Sequence, residues 1–171
     1  MSANSRLRAA IISALQFFVL FVIISTAVDF WRKPSQPAEF ARQTFPTVSG
    51  QTINPMQASQ SQLLVLYFWG SWCGICHHTS PAIERLHQSG IPVLGIALQS
   101  GDDPTMRQYM QQHGMNFPSL NDPQGTLAQQ WQIKVTPTIV VMKDGKIIHN
   151  TSGISSYEGL RTRLWLLDKF Y

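Results

Sequence analysis

Cysteine is almost absent from this chain of 171 residues, which contains only Cys73 and Cys76. Two cysteines exclude the framework of several disulfides that holds many small secreted domains together. Their spacing, Cys-x-x-Cys, is nevertheless typical of a redox-active dithiol. A single pair of this kind, placed after the apolar N-terminal segment described below (residues 9–31), favours a working thiol pair in an oxidising compartment over a structural bridge.

Charged residues are also few, at 13% of the chain, and they do not cluster. The net charge is +4, but residues 1–33 contain four of the 13 basic residues and one of the nine acidic ones. The remaining part is therefore nearly neutral, with nine basic and eight acidic residues. Because basic residues after Lys33 occur singly, we expect no binding to nucleic acid.

Long apolar runs are absent except for one, AAIISALQFFVLFVIISTAVDFW, at residues 9–31. A helix of this length can cross the hydrocarbon of a bilayer. Arg6 and Arg8 precede the run, which favours a cytoplasmic N-terminus at residues 1–8 and a transmembrane anchor at 9–31. A cleaved signal peptide is the alternative, since Ser25, Thr26 and Ala27 are small, but its apolar core usually has only about 7–15 residues.

The rest of the chain has neither internal repeats nor low-complexity tracts, and its length suits one domain. Residues 32–41 include PSQPA, whose prolines indicate an extended linker, and residues 42–171 form the predicted domain. Phe45 to Ile53 predicts a hairpin that turns at Ser49-Gly50. Leu63 to Trp69 is a continuous apolar run, typical of a strand buried on both faces, and it leads directly to Cys73.

The pattern beyond the cysteines alternates between helices and strands. The predicted elements are a helix that ends near Gly90 and is kinked at Pro81, a strand over Ile91–Leu98, a helix from Asp102 to His113, a short helix over Gly125–Trp131, a strand over Thr138–Met142, a hairpin strand over Ile147–His149, and a helix from about Ser156 to Leu167. Such alternation predicts an α/β domain with a parallel centre.

The dithiol lies where a buried strand gives way to a helix. Free N–H groups and the helix dipole at that position stabilise a thiolate, so we expect a lowered pKa at Cys73. Cys73 is then the attacking sulfur, and Cys76, one turn further along, resolves the mixed disulfide. Gly70 permits a tight turn out of the strand, and Trp72 provides an aromatic wall beside Cys73.

Two other chemistries fit the same residues. Cys73, Cys76 and His77 match the Cys-x-x-Cys-His pattern of covalent haem attachment, but the flanking strands do not suit the small helical domain expected there. Two thiolates and a histidine would also suit copper(I) or zinc. A metal-binding protein that uses these cysteines is therefore the alternative function.

A second motif, Val135-Thr136-Pro137-Thr138, places a proline at the start of an apolar strand. Proline there loses a hydrogen bond of the sheet, and a cis peptide bond is common only before proline. The segments FWGSWCGICHHTSPAIERL, GTLAQQWQIKVTPTIVVMKDGKI and SGISSYEGLRTRL together resemble the thioredoxin superfamily. The resemblance covers residues 45–167 and is specific to the membrane-anchored periplasmic branch of TlpA, ResA and CcmG, with ScsD-type proteins of copper tolerance most similar.

The resemblance implies an α/β thioredoxin-like fold, with a mixed central sheet flanked by helices and preceded by one transmembrane helix. It implies that Pro137 is a cis-proline facing the dithiol, and that Thr136 and Trp72 contact the substrate. The expected function is a periplasmic thiol:disulfide oxidoreductase that acts as a reductant, on a single-pass anchor in a bacterial inner membrane. No cofactor beyond the Cys73–Cys76 disulfide is expected. The expected partners are protein disulfides and a transmembrane thiol reductase that supplies electrons.

The chain departs from the superfamily pattern around the dithiol. Thioredoxin has a buried acid six residues before its first cysteine, where this chain has Tyr67. ResA-like proteins have a glutamate six residues after it, where this chain has Thr79. His77 is therefore a candidate for proton transfer to Cys76, with water as the alternative. Ile75 replaces the proline common before the second cysteine, so the redox potential cannot be carried over from either group.

Overall fold

The computed structural model describes residues 12–13, 15–20, 23–24, 27–28 and 30–171. The chain divides into two compact units, residues 1–33 and 34–171. Described residues of the first unit between 12 and 31 are helical. Within the described part of the chain, no helix combines the length and the apolar character needed to cross a membrane. The predicted N-terminus (1–8) lies outside the described residues, and so does part of the predicted anchor (9–31).

A mixed sheet of five strands forms the centre of the second unit. Its strands are β3 (Leu64–Trp69), β4 (Val93–Leu98), β5 (Ser119–Asp122), β6 (Thr138–Lys143) and β7 (Lys146–Ser152). The spatial order is β5-β4-β3-β6-β7. Strands β3, β4 and β5 are parallel, whereas β6 is antiparallel to both β3 and β7. The predicted mixed sheet is confirmed.

Short elements precede this sheet in the chain. A 3₁₀ turn (Phe40–Arg42) is followed by a separate hairpin of β1 (Phe45–Pro46) and β2 (Thr52–Ile53), in which Phe45 is opposite Ile53. The predicted turn at Ser49-Gly50 is confirmed, and Gly50 has φ +82°, which glycine adopts at little cost.

Five helices flank the strands: α1 (Pro55–Gln60), α2 (Gly74–Gln88), α3 (Asp103–Gln112), α4 (Thr126–Gln130) and α5 (Tyr157–Phe170). Side chains cap four of them, because Asn54, Cys73, Asp102 and Ser156 each accept a hydrogen bond from a backbone N–H in the first turn. Helix α2 continues through Pro81 as one element.

The side chains of β3 alternate between two core layers. Val65, Tyr67 and Trp69 pack with α2, α3 and α5, in the layer that also contains both cysteines. Leu64, Leu66 and Phe68 pack on the opposite face, with Trp131 after α4. All six residues of β3 are buried, as predicted for a central strand.

Two elements were not predicted. Strand β5 is only four residues long and contains the buried polar residues Ser119 and Asp122, so it lacks an apolar run. Helix α1 has six residues, too few for a helical period to show. The predicted linker, residues 32–41, includes buried Phe40 and Ala41. Within it, the Gln36 side chain forms hydrogen bonds with the backbone of Gly145 and Ile147.

Candidate active site

Two loops meet at one edge of the sheet. The register of β3 and β6 pairs Phe68, near the end of β3, with Thr138, at the start of β6. Because the two strands are antiparallel, the segment after β3 and the segment before β6 lie at the same edge. The first segment leads to Cys73 and the second contains the Thr136–Pro137 peptide bond, which is cis. The cis-proline implied by the resemblance is thereby confirmed.

Cys73 and Cys76 form a disulfide. Cys73 is the N-cap residue of α2, and its Sγ accepts a hydrogen bond from the backbone N–H of Cys76 at 3.2 Å. Cys73 is 6% exposed and Cys76 is 1% exposed. The sulfur of Cys73 therefore lies at the positive end of the helix, as the strand-to-helix position predicted, and Cys76 lies deeper.

The end of β4 holds the segment that leads to Cys73. The backbone N–H of Ser71 donates to Ser100 Oγ at 3.0 Å, and Ser100 Oγ donates to the Leu98 carbonyl at 2.9 Å. Trp72 Nε1 donates to the same carbonyl at 2.9 Å. Ser100 is buried and was missed in the sequence, because it is 29 residues from its partner Ser71.

Apolar side chains are exposed around the disulfide. Trp72 is 59% exposed and Ile75 is 49% exposed, although both are large and apolar. The Pro137 carbonyl accepts a hydrogen bond from the N–H of Gly153 at 2.9 Å, which brings the end of β7 beside the cis-proline. Ile154, the next residue, is also exposed. The exposed apolar side chains of the described site thus come from two segments of the chain, residues 72–75 and residue 154.

The positions of the two missing acids carry uncharged residues in the structure. Tyr67 is fully buried, and its Oη lies 2.9 Å from Ser80 Oγ and 3.4 Å from the Cys76 carbonyl oxygen. Burial raises the pKa of the Tyr67 phenol, and the hydrogen bond with Ser80 lowers it in part. Thr79 is buried, and its Oγ1 donates to the Ile75 carbonyl within its own helix at 3.3 Å.

His77 is exposed and contacts a neighbouring helix. Its Nδ1 lies 3.3 Å from the hydroxyl of Tyr109 on α3. The Tyr109 ring stacks on His113, with 4.0 Å between ring centroids. Burial raises the pKa of Tyr109. His77 therefore has a polar partner that sequence analysis did not identify, while its role in proton transfer stays a prediction.

A buried carboxylate on α2, that of Glu84, holds this helix against the segment before β5. Glu84 accepts hydrogen bonds from the N–H groups of Asn116 at 2.7 Å and Phe117 at 3.3 Å, and from the side-chain amides of Asn116 and Gln88. Burial by itself would raise the pKa of Glu84, but these hydrogen bonds together lower it. Glu84 thus joins α2 to the segment before β5.

Metal ligation was the alternative chemistry at this site. Among the residues that the structure describes, no three or more His, Cys, Asp or Glu side chains are grouped so that they could hold a metal ion. The disulfide, the helix N-terminus and the cis-proline together suit exchange between thiols and disulfides.

Comparison with known proteins gives the same chemistry. The model of the AhpC/TSA family matches residues 36–150. A thioredoxin-like protein of Haemophilus influenzae is 39% identical over 158 residues, which cover 92% of this chain and 95% of that protein. The thiol:disulfide interchange protein DsbE of Pseudomonas aeruginosa is 24% identical and covers 92% of this chain and 91% of its own length.

Solved structures agree with these relatives. A secreted disulfide oxidoreductase of Mycobacterium tuberculosis, described as homologous to DsbE of E. coli, superposes with a TM-score of 0.61 at 25% identity. The match covers 76% of this chain and 99% of that one. DsbF of the same organism superposes with a TM-score of 0.64 at 21% identity, with 78% and 99% coverage, and so shares the fold. The chain therefore belongs to the AhpC/TSA family and is a thiol:disulfide oxidoreductase of thioredoxin-like fold.

Proposed function

We propose that this protein is a membrane-anchored periplasmic reductant of protein disulfides. Cys73 is the attacking sulfur and Cys76 is the resolving one. The observation that carries this assignment is the hydrogen bond from the Cys76 N–H to Cys73 Sγ at the start of α2. A donor in that position stabilises negative charge on Cys73, and the deeper burial of Cys76 keeps it away from an incoming substrate.

The reaction transfers two electrons and two protons from the dithiol to the substrate disulfide. The Cys73 thiolate attacks one sulfur of a substrate disulfide, which forms a mixed disulfide and releases the other substrate sulfur as a thiolate. The Cys76 thiolate then attacks Cys73 Sγ, which restores the Cys73–Cys76 disulfide and releases the second substrate sulfur. The substrate gains two electrons, and a donor must return two electrons to the enzyme for another cycle.

The exposed apolar surface supports a protein substrate over a small thiol. Trp72, Ile75 and Ile154 offer contacts to a chain laid across the disulfide. Thr136 and Pro137 lie at the same sheet edge and hold that chain extended, as the resemblance implies. The dithiol carries the chemistry alone, with no further cofactor. The substrates that fit the resemblance are apocytochrome c and a disulfide isomerase of a copper-stress pathway.

The place in the cell follows from the N-terminal sequence. The apolar run at 9–31, with Arg6 and Arg8 before it, is a single-pass anchor of a bacterial inner membrane that leaves the dithiol in the periplasm. An anchored enzyme meets its electron donor in the plane of the membrane. A transmembrane thiol reductase is therefore the partner that recharges Cys73 and Cys76.

The reduction potential of the dithiol tests the direction of transfer. The full chain in detergent is equilibrated with reduced and oxidised glutathione, and its metal content is measured in the same preparation. A potential at or below roughly −200 mV, in the range of glutaredoxins and thioredoxin, supports a reductant. A value near −120 mV identifies an oxidant and overturns the proposed direction. Stoichiometric metal without a reversible disulfide would identify the metal-binding alternative.

A further inference from the structure

Two buried hydroxyl groups lie directly behind the dithiol. Tyr67, on β3, and Ser80, on α2, are both buried, and their oxygens are 2.9 Å apart. The Tyr67 oxygen also lies 3.4 Å from the carbonyl oxygen of Cys76. Tyr67 and both cysteines share one core layer, so water does not readily replace these contacts.

One arrangement of protons satisfies both contacts. The Cys76 carbonyl can only accept, so the Tyr67 hydroxyl must donate to it. The oxygen of Tyr67 is then left as an acceptor, and the Ser80 hydroxyl donates to it. Burial raises the pKa of Tyr67, with the hydrogen bond from Ser80 lowering it in part, so the phenol keeps its proton at neutral pH. Tyr67 therefore acts as a donor and not as a base.

The backbone of Cys76 links the Tyr67–Ser80 pair to the sulfur of Cys73. Its carbonyl accepts from Tyr67, while its N–H donates to Cys73 Sγ at 3.2 Å. The two contacts hold both polar backbone groups of one residue. A change in the orientation of the Cys76 backbone would therefore move the donor that faces Cys73.

We propose that Tyr67 is a positioning residue, which holds the backbone of Cys76 so that its N–H points at Cys73 and stabilises the Cys73 thiolate. The inference rests on the proposed function, in which Cys73 attacks. In the described domain, the ionisable group that acts electrostatically on Tyr67 is Tyr109 on α3, and the exposed His77 contacts Tyr109 in turn.

Tyr67→Phe tests the role because it removes one hydroxyl and keeps the ring. The full chain is reduced in detergent, and two quantities are measured: the rate of Cys73 alkylation as a function of pH, and the equilibrium constant with glutathione. We expect the pKa of Cys73 to rise and the equilibrium to move toward the disulfide by about three- to tenfold, since a weakened hydrogen bond destabilises the thiolate. Ser80→Ala should shift both quantities the same way by less, because Tyr67 still donates to Cys76.

Phe68→Leu is the matched control. Phe68 is the next residue of β3, equally buried, but its side chain is on the opposite face of the sheet. The control should lose stability and keep the wild-type alkylation profile, which separates positioning from a general loss of packing. The same shift in Phe68→Leu as in Tyr67→Phe would overturn the inference.

Three further outcomes would overturn the inference. A folded Tyr67→Phe protein with a wild-type profile and an equilibrium constant within about twofold overturns the role of Tyr67 and leaves the proposed function standing. Should Tyr67→Phe fail to fold, the absence of any shift in Ser80→Ala overturns it instead. A wild-type protein whose Cys73 shows no thiolate reactivity would refute the proposed function, and the inference with it.

Discussion

Gly70 and the indole of Trp72 occupy adjoining space. A Cβ atom built on Gly70 would lie 2.7 Å from Cε2 and Nε1 of Trp72. The indole is held in place by its hydrogen bond to the Leu98 carbonyl, so it cannot move away without losing that contact. Gly70 therefore allows the aromatic residue before Cys73 to lie against the end of β4.

Gly70→Ala should displace Trp72 and break its hydrogen bond. We expect a loss of about 1–3 kcal/mol in the free energy of unfolding, as for other overpacked sites, and slower reduction of a protein disulfide. Urea unfolding and an insulin reduction assay measure the two effects. Gly74→Ala is the control for stability, because a Cβ there meets no atom within 4 Å and alanine suits a helix. A fully stable Gly70→Ala protein would contradict the steric argument.

Ser100→Ala should loosen the segment before Cys73. The substitution leaves the partly buried N–H of Ser71 without its acceptor, which costs about 1 kcal/mol of unfolding free energy. Faster hydrogen exchange at the Ser71 amide is the local sign of this loss. Ser61→Ala, at an exposed serine, should stay within about 0.5 kcal/mol of the wild type. Equal effects of the two substitutions would show that Ser100 does not hold the segment.

Cys76→Ser should trap the mixed disulfide. Without the resolving sulfur, Cys73 forms a bond to glutathione that persists when the protein is treated with oxidised glutathione, and mass spectrometry detects the adduct. The matched variant Cys73→Ser should form little adduct, because Cys76 is 1% exposed. The reverse result, with an adduct mainly on Cys76, would exchange the two assigned roles.

His77→Ala tests proton transfer beside the dithiol. If His77 exchanges a proton with Cys76, its removal should slow the resolving step about tenfold and change the pH profile of exchange. Stopped-flow measurement of the step across pH 5–9 tests this. His78→Ala is the control, since His78 is a neighbouring exposed histidine of the same helix. An unchanged rate and profile in His77→Ala excludes His77 and leaves water as the proton carrier.

We expect Glu84 to make the free energy of unfolding depend on pH in the acidic range. Its pKa is lowered in the folded protein relative to an unfolded value of about 4.3. The folded state therefore binds fewer protons in that range, and stability rises with pH. This contribution is fully present above the unfolded value and is lost as the pH falls through the lower, folded value.

Glu84→Gln separates this contribution from the rest of the protein. At pH 7 we expect a loss of about 1–3 kcal/mol, because an amide cannot accept all four hydrogen bonds. The difference from the wild type should shrink below about pH 4, as Glu84 becomes protonated. Glu158→Gln serves as the comparison, since its ion pair with Arg85 is exposed and contributes little. A difference that is constant across pH would contradict the ionised state of Glu84.

Much of the fold could be predicted, because its signals are local. The buried run ending at Trp69 indicated the central strand, and Asp102 with the proline after it indicated the start of α3. Strand β5 could not be found in this way, since its burial comes from pairing with β4 and not from its own apolar residues. The active cysteines were predictable because both members of the pair and the helix that carries them are contiguous in the chain.

By itself, the sequence determined the dithiol, the proline before β6, the branch of the superfamily and the absence of the usual acid near the cysteines. Only the tertiary structure decided which groups Tyr67, at the position of that acid, contacts. Tyr67 meets Ser80 across 13 residues, Ser71 meets Ser100 across 29, and Glu84 meets Asn116 across 32. The physical reason is that these contacts depend on which strand pairs with which and which face each helix covers. Sheet pairing and helix packing join residues far apart in the chain, so no local pattern records them.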